Sequence, residues 1–227
     1  IDRGCNGISI HHNILDADKA SQACINKVNV SAGTSEFAYC DYNGFHTSNG
    51  AFVGFEIYPK VTLADWQNLG YDHNSIFGDP LFVDPDGTDN VPANSDDNFH
   101  LQSRAGSYFQ GNWNADSNDS PMIDAGDPSQ GSLFETEPNG GRINLGAYGG
   151  TDQASRTSSQ HLLTLISPNG GEVLRGDAEV TWQAKGFSPS DTLTVQYSPD
   201  GGNNWTTLDS QIYATQGVYT WNTLDAQ

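Results

Sequence analysis

The sequence predicts an all-β protein, and three observations lead to that prediction. Residues 98–151 show almost no helical periodicity, and short apolar pieces there alternate with clusters of Asp, Asn, Gly and Pro. That alternation is typical of short strands joined by ordered turns. The 227 residues include 25 glycines, in keeping with a turn-rich chain. Aromatic residues make up 11% of the chain, whereas acidic disordered segments contain few of them.

The charge balance excludes some classes of partner. The chain has 28 acidic and 9 basic residues and a net charge of −19. Such a chain repels nucleic acid, whose phosphates require Lys and Arg, and it repels anionic membrane surfaces. No stretch is long and apolar enough to cross a bilayer, so we expect no membrane insertion. The composition favours an extracellular or cell-surface protein that binds divalent cations.

The first part of the chain predicts strands with one buried face. Apolar and polar residues alternate over residues 7–15, and further apolar runs follow at Ile25–Val30 and Glu36–Phe45. A spacing of roughly 15–20 residues between the runs predicts successive coils of a stacked repeat. Seven side chains are predicted to lie in the core of this region: Ile8, Ile10, Ile14, Phe82, Leu101, Ile123 and Leu145.

One short helix interrupts the strands. Thr62 and Asp65 have the spacing of a capping box, in which each side chain bonds the backbone N–H of the other residue. Leu63, Trp66 and Leu69 then fall on one helical face, and Gly70 suits a left-handed C-terminal position. The pattern predicts a helix over residues 63–69 with Trp66 buried.

The end of the chain predicts a second domain. Residues 151–160 are polar and are interpreted as a linker. Residues 161–227 contain alternating strands separated by turn signals every 8–12 residues, which is typical of a β-sandwich. The predicted strands are one or two fewer than a full sandwich needs. We therefore expect either further residues or a strand from a neighbouring subunit to complete it.

Two sets of phrases resemble known families. The order DYNGF, TLADWQNLGYDHNSIFGDPLFVDPDG, FHLQ, SPMIDAGDP and NGGRINLGAYGGT resembles the C-terminal end of secreted right-handed parallel β-helix proteins, the pectate-lyase-like superfamily. The phrases SPNGGEVLRGD and SPDGGNNW resemble bacterial immunoglobulin-like or fibronectin-type-III-like modules. The resemblance implies β-helix coils and an irregular cap with one short helix over 1–150. A partial sandwich over 161–227 would follow the linker.

A β-helix fold leaves the activity open, because this scaffold carries adhesins, lyases and hydrolases alike. Our first interpretation is a secreted or cell-surface protein with a structural, adhesive or assembly role, whose partners are a polysaccharide or neighbouring subunits. The alternative is a polysaccharide lyase or glycoside hydrolase whose catalytic coils lie upstream of this chain. No catalytic residue is assigned from the sequence.

An acidic loop is the candidate metal site. Calcium takes six to eight oxygen ligands, and a flexible loop rich in carboxylates and amides supplies them. The predicted ligands are Asp84, Asp86, Asp89, Asn90, Asp96 and Asp97. The alternative is that these side chains only form turns by bonding nearby backbone N–H groups.

Several other residues carry side chains of the kinds used in catalysis. Sugar hydrolysis requires a pair of carboxylates, and the sequence offers six candidates without pairing them: Asp41, Asp65, Asp72, Asp79, Asp124 and Asp127. His11 and His12 are adjacent, so in a strand they would point to opposite faces and would not chelate one ion together. Arg142 is expected to donate hydrogen bonds to backbone carbonyls.

The three cysteines, Cys5, Cys24 and Cys40, all lie near the start of the chain. They are too widely spaced to form the close pairs that are typical of a metal site. We expect one disulfide and one free thiol, because neighbouring coils bring residues about one repeat apart into register. Three buried, reduced cysteines are the alternative.

Overall fold

A computed structural model of the chain describes residues 7–27, 37–132, 134–158, 161–168, 172–199 and 203–226. Within these ranges the regular structure consists of strands, one short α-helix and two single-turn 3-10 helices, so the all-β class is confirmed. The chain divides into two units, Ile1–Ser158 and Ser159–Gln227.

The first unit holds short strands and the α-helix. In chain order they are β1 (Ile8–His11), β2 (Ile14–Ala17), β3 (Ala23–Lys27), β4 (Phe37–Asp41), β5 (Gly44–Thr47), β6 (Phe52–Glu56), β7 (Tyr58–Lys60), α1 (Leu63–Gln67), β8 (Ile76–Phe77), β9 (Phe82–Asp84), β10 (Asn98–Leu101), β11 (Ser107–Phe109) and β12 (Asn112–Asn114).

Three small sheets pair the segment 8–27 with the segment 37–56. Strand β1 runs parallel to β4, β2 runs parallel to β5, and β3 runs parallel to β6. Strand β8 adds to the free side of β5, again in parallel. Antiparallel pairs complete the unit, with β7 on β6, β9 on β10 and β11 on β12.

The sequence offset between paired strands differs from the expected one. Asp16 pairs with His46 at a sequence separation of 30, and Lys27 pairs with Glu56 at a separation of 29. The expected stacking of each apolar run on the next one is therefore wrong. The reason is that the chain forms three strands before it returns beside its own start. The described part of the run that begins at Ile25 consequently belongs to a different sheet from the runs on either side of it.

The pairing of the strands also explains why Cys24 and Cys40 do not form the expected disulfide. Cys24 lies in β3 and Cys40 in β4, which belong to different sheets, and both are free thiols. The expected disulfide does not form between these two residues, and Cys5 lies outside the described residues. Burial raises the pKa of the Cys24 thiol to about 11 and raises the pKa of Cys40 as well, so both thiols are protonated at neutral pH.

Two apolar clusters form the core of the first unit. The larger contains Ile25, Phe37, Cys40, Phe45, Val53 and Trp66, and the smaller contains Leu101, Met122 and Leu145. Of the predicted core residues, Leu101 and Leu145 are buried. The other five are partly buried and pack against the clusters: Ile8, Ile10, Ile14, Phe82 and Ile123. The predicted inward orientation of these residues is confirmed.

The predicted helix is present with its capping box. Thr62 and Asp65 bond each other's backbone N–H groups, and Trp66 is fully buried. The helix ends at Gln67, two residues earlier than predicted, and Gly70 takes the left-handed conformation. A Cβ at Gly54 would come within 2.3 Å of the Trp66 ring, so a glycine is needed there. Among the described residues no helix has the length and apolar character needed to span a bilayer.

A buried carboxylate lies beneath this helix. Asp72 is fully buried, and its Oδ2 accepts hydrogen bonds from Trp66 Nε1 at 2.8 Å and Cys40 Sγ at 3.0 Å. Its Oδ1 accepts from Asn43 Nδ2 at 2.8 Å and from Ser75 Oγ at 2.6 Å. Burial of a charge is costly unless the group is hydrogen-bonded, and here four donors meet that requirement.

Residues 151–157, predicted as part of the linker, pack within the first unit. Ala154, Ser155 and Thr157 are buried. Ser155 Oγ donates to the carbonyl of Leu101 at 2.6 Å, and Thr157 Oγ1 donates to Asp124 Oδ2 at 2.8 Å. These hydrogen bonds and the buried Ala154 hold the segment in the first unit.

The second unit consists of two sheets. Strands β13 (Leu162–Ser167), β14 (Asp177–Lys185) and β17 (Val218–Asn222) form one sheet, and β15 (Thr192–Tyr197) and β16 (Thr206–Tyr213) form the other. Apolar residues of both sheets, among them Trp182, Leu193 and Trp221, line a cleft of about 350 Å³. The sandwich fold of this unit, its incompleteness and its completion by another strand stay predictions.

The first prediction concerns the buried carboxylate. Asp72→Asn places an amide N–H₂ where two donors already converge, so the free energy of unfolding should fall by roughly 3–5 kcal/mol. The measurement is urea denaturation, with the exposed Asp18→Asn as the matched control. A loss below about 1 kcal/mol, within the range of ordinary surface substitutions, would contradict the proposed role of the network.

The second prediction concerns Glu135, which is buried and whose Oε1 accepts from the backbone N–H groups of Asn144 and Gly150. Burial raises its pKa from 4.5 to about 7. The folded state therefore holds the proton more tightly than the unfolded chain does, and stability falls as pH rises from 4.5 through 7 before it levels off.

Comparison of unfolding free energies at several pH values between 4.5 and 8.5 tests this. The decline attributable to Glu135 is on the order of 3 kcal/mol and should be missing in Glu135→Gln. The exposed Glu137→Gln should keep it. Equal pH slopes in the native protein and in Glu135→Gln would show that the carboxyl group titrates normally.

Candidate functional site

The candidate site is a cleft formed by described residues of the first unit. Its volume is about 690 Å³, within the range typical of small-molecule sites. The side chains with binding chemistry come from β2, β5 and β10 and from the turns beside them: Asn13, Asp16, His46, Asp79, Phe99 and Gln102. The cleft thus combines carboxylates, amides, an imidazole and an aromatic ring.

Asp16 and His46 are neighbours across two parallel strands. They occupy paired positions on β2 and β5, and residues paired in this way project on the same side of the sheet. The His46 Nδ1 lies 3.1 Å from Asp16 Oδ1, and both side chains are partly exposed, at 27% and 45%. The contact orients the carboxylate, while Asp16 Oδ2 accepts no hydrogen bond from any described residue.

Asp79 is held in a rigid turn before β9. Its Oδ1 accepts a hydrogen bond from the backbone N–H of Leu81 at 2.9 Å, which is an Asx-turn. The carbonyl of the buried Pro80 accepts from Ser120 Oγ at 2.6 Å, so the turn is fixed on its inner side. The side chain of Asp79 itself is exposed to the cleft.

Phe99 supplies the aromatic ring of the cleft. It lies on β10, and its exposed fraction of 41% is high for such a large apolar side chain. The ring of Phe82, which also lines the cleft, meets it edge to face at 5.4 Å between centroids. The exposed ring is positioned by this contact, which is a favourable geometry for aromatic pairs.

The six aspartates that the sequence suggested as catalytic carboxylates do not come together in one site. Only Asp79 lines the cleft. The other five are used in local structure: Asp65 in the helix cap, Asp72 in the buried network, and Asp41, Asp124 and Asp127 in hydrogen bonds to nearby turns. Sequence reasoning missed Asp16 and His46. Their sequence separation of 30 equals the offset of the paired strands, and no periodic pattern in the sequence indicated that offset.

The two adjacent histidines lie closer together than expected. His11 Nδ1 and His12 Nδ1 are 3.2 Å apart, because His12 follows β1 and takes a left-handed φ of 59°. The expectation that they point to opposite faces is therefore wrong. His12 Nε2 accepts the backbone N–H of Asp127 at 3.0 Å, so Nδ1 carries the proton and donates to His11. This hydrogen bond leaves His12 no free nitrogen for a metal ion.

Arg142 has the structural role expected of it. Its guanidinium donates to the carbonyls of Ala125 and Gly126. It also lies over the ring of Tyr42, 5.7 Å from the centroid. Burial lowers its pKa. Through these contacts Arg142 stabilises the turn at residues 125–126.

The acidic loop is extensively bonded to itself. Asp96 Oδ2 accepts from Thr88 and from the backbone of Asp89, and Asp97 Oδ2 accepts from the backbone of Ala93 and Asn94. Asp89 Oδ1 accepts the backbone N–H of Val91, and Asn90 takes a left-handed φ of 56°. Turn formation thus uses many of the predicted ligand atoms.

Electrostatics nevertheless indicate crowding of negative charge in this loop. Partial burial raises the pKa of Asp84, and the nearby Asp86, Asp96 and Asp97 raise it further. Asp97 Oδ1 is buried and has no hydrogen-bond partner among the described residues. Within the same residues no group of three or more His, Cys, Asp or Glu side chains is arranged around a common point for a metal ion. Calcium binding stays a prediction.

Comparison of the chain with family models, with curated proteins and with solved structures finds no match.

The third prediction tests calcium. If the loop at 84–97 binds the ion, adding calcium raises the melting temperature and EDTA reverses the rise. The gain is about 2.7 kcal/mol at a hundredfold excess over the dissociation constant. Asp86→Asn should reduce the response, and Asp18→Asn should not. Superimposable melting curves in calcium and EDTA would show that hydrogen bonds alone hold the loop.

Proposed function

We propose that the chain is part of a right-handed parallel β-helix protein of the cell surface or exterior, and that it binds a polysaccharide in the cleft of its first unit. The observation that carries the proposal is the composition of the cleft, where exposed or partly exposed carboxylate, amide and imidazole groups lie beside one exposed aromatic ring.

The β-helix part of the proposal rests on the pairing of strands. Three consecutive strands of one segment lie parallel to three consecutive strands of the next. The sequence offset is nearly constant, as the pairs Lys27 with Glu56 at 29 and Asp16 with His46 at 30 illustrate. Parallel strands that repeat at such an offset are what a coiled stack requires, since each coil returns above the previous one. A β-helix would present such a sheet as an extended face, and Asp16 and His46, which line the cleft, occupy paired positions on two such strands.

Sugars suit the chemistry of this cleft. A sugar ring has hydroxyl groups around its edge, which need paired donors and acceptors, and apolar C–H faces that pack on aromatic rings. Asp16, Asp79 and Asn13 provide polar groups, and Phe99 provides the ring. Binding sites in general combine an apolar surface with a few fixed polar groups that set orientation and specificity.

The way in which the cleft is built also suits an adhesive protein. Its polar groups are fixed by the protein before any ligand arrives: Asp16 by His46, and Asp79 by the amide of Leu81. Pre-orientation of this kind lowers the entropy cost of binding. Because strands and a fixed turn carry the groups, the surface needs no rearrangement to accept a chain of sugar units.

Hydrolysis is the second candidate, because Asp16 and Asp79 line the same cleft and glycosidases use two carboxylates on either side of the scissile bond. Cleavage would yield new reducing ends from a bound polysaccharide. An adhesive site yields none, so the same ligand panel separates the two functions.

The fourth prediction tests the site. On a panel of purified oligosaccharides measured by isothermal titration calorimetry, at least one sugar binds the native chain. Phe99→Ala should weaken that binding roughly 5–20-fold through loss of ring packing. Asp16→Asn and Asp79→Asn should each weaken it about tenfold, since a hydrogen bond to a charged carboxylate becomes a weaker one to a neutral amide.

Two matched controls accompany these variants. Phe134 is an exposed phenylalanine outside the cleft, and Asp18 is an exposed aspartate outside it. Phe134→Ala and Asp18→Asn should bind like the native chain, and all variants should keep its melting temperature. Equal losses in the control and cleft variants, or no binding of any sugar, would refute the proposed function.

A further inference from the structure

We infer that the cleft selects polysaccharides built from amino sugars, whose units carry a protonated amine, over neutral sugars and over uronates. This inference rests on the proposed function, since it specifies which sugars the same cleft takes. It depends on the charges of the cleft, on the free oxygens of two carboxylates and on the exposed ring of Phe99.

The cleft is negatively charged. Two carboxylates line it, those of Asp16 and Asp79, and no Lys or Arg is among its described lining residues. The only basic group among them is the imidazole of His46, which already contacts Asp16. A uronate or sulfated sugar placed in the cleft would bring a third negative charge without a cation to balance it, and like charges at close range discriminate strongly against a ligand.

The surroundings reinforce that charge. Residues 1–158 contain 21 acidic and 7 basic side chains, a net charge of −14. Four of the seven basic side chains are committed elsewhere: Lys27 to Glu56, Arg104 to Asp119, Arg142 to backbone carbonyls, and Arg156 to the ring of Trp113. The summed field therefore attracts cations to the unit and raises their concentration at a negatively charged cleft.

Each carboxylate has one oxygen held by the protein and one that accepts no hydrogen bond from a described residue. Asp16 Oδ1 contacts His46 Nδ1, and Asp79 Oδ1 accepts the amide of Leu81. The second oxygens, Oδ2 in both cases, are acceptors only, because an ionised carboxylate has no proton to donate. A protonated amine has three N–H donors and no acceptor, so it complements such a pair better than a hydroxyl does.

The aromatic ring completes the recognition. Phe99 is exposed, and Phe82 holds it edge to face. A ring face attracts positive charge as well as apolar C–H groups, so a sugar bearing an amine gains from both effects. Phe99 is expected to contribute to all sugars, while the two carboxylates contribute to the difference between them.

Three sets of oligosaccharides of equal length test this inference by isothermal titration calorimetry: glucosamine oligomers, their N-acetylated forms and galacturonate oligomers. The buffer holds about 150 mM salt, which screens long-range attraction, and EDTA, which removes bridging cations. At pH 6 the glucosamine oligomers should bind at least tenfold more tightly than the N-acetylated ones. The galacturonate oligomers should show no heat of binding.

The variants locate the selectivity. Asp16→Asn and Asp79→Asn should each reduce the preference for the amine several-fold, because they weaken binding of the glucosamine oligomers more than binding of the N-acetylated ones. Phe99→Ala should weaken both classes and keep the preference. Asp18→Asn, which leaves the cleft intact but removes one surface charge, should behave like the native chain.

The outcomes separate this inference from the proposed function. Equal or tighter binding of N-acetylated or galacturonate oligomers would overturn the preference for amines and leave a sugar-binding cleft in place. A preference that persists in the Asp16→Asn, Asp79→Asn double variant would assign it to the overall charge of the unit and overturn the role of the cleft. No binding of any oligosaccharide would overturn both proposals.

Discussion

The buried carboxylate of Asp72 joins parts of the first unit that are far apart in the chain. It accepts hydrogen bonds from Cys40 in β4, from Asn43 before β5, from Trp66 in α1 and from Ser75 before β8. Through Asn43, which also donates to the carbonyl of Ile10, the network reaches the first segment as well. An ionised carboxylate cannot remain buried without such donors, so the positions of the strands and helix depend on one another through this group.

The position of the cleft depends on that network. Strand β8 follows Ser75 and pairs with β5, which places the turn at Asp79 beside the sheet that carries Asp16 and His46. The walls are then fixed by hydroxyl groups from distant turns, because Ser120 holds the carbonyl of Pro80 and Ser155 holds that of Leu101. The strands around the cleft are short and carry few apolar side chains. The hydrogen bonds from these hydroxyl groups to buried carbonyls therefore help to hold the walls of the cleft together.

The first unit is strongly acidic, and much of that acidity is accessible to solvent. Its basic side chains are used largely within the structure, as in the pair of the buried Lys27 with Glu56, whereas exposed or partly exposed carboxylates lie in the cleft and in the loop 84–97. Pro85 lines the cleft and also belongs to that loop, so the two acidic regions are continuous. A cation bound in the loop and a cationic sugar in the cleft would therefore influence each other, since neighbouring charges interact appreciably even near the surface.

Local patterns in the sequence determined those features that depend on neighbouring residues. The capping box of Thr62 and Asp65, the burial of Trp66, the inward residues Leu101 and Leu145 and the all-β class all follow from short-range spacing, and the structure confirms them.

The tertiary structure alone decided the sequence offset between paired strands, which is 29 for Lys27 with Glu56 and 30 for Asp16 with His46. It also decided the free state of Cys24 and Cys40, the close approach of His11 and His12 and the structural role of Asp72. The physical reason is shared by these cases. Chain reversal brings together residues that are far apart in sequence, and a single left-handed residue redirects a side chain, while neither event leaves a periodic signal in the sequence.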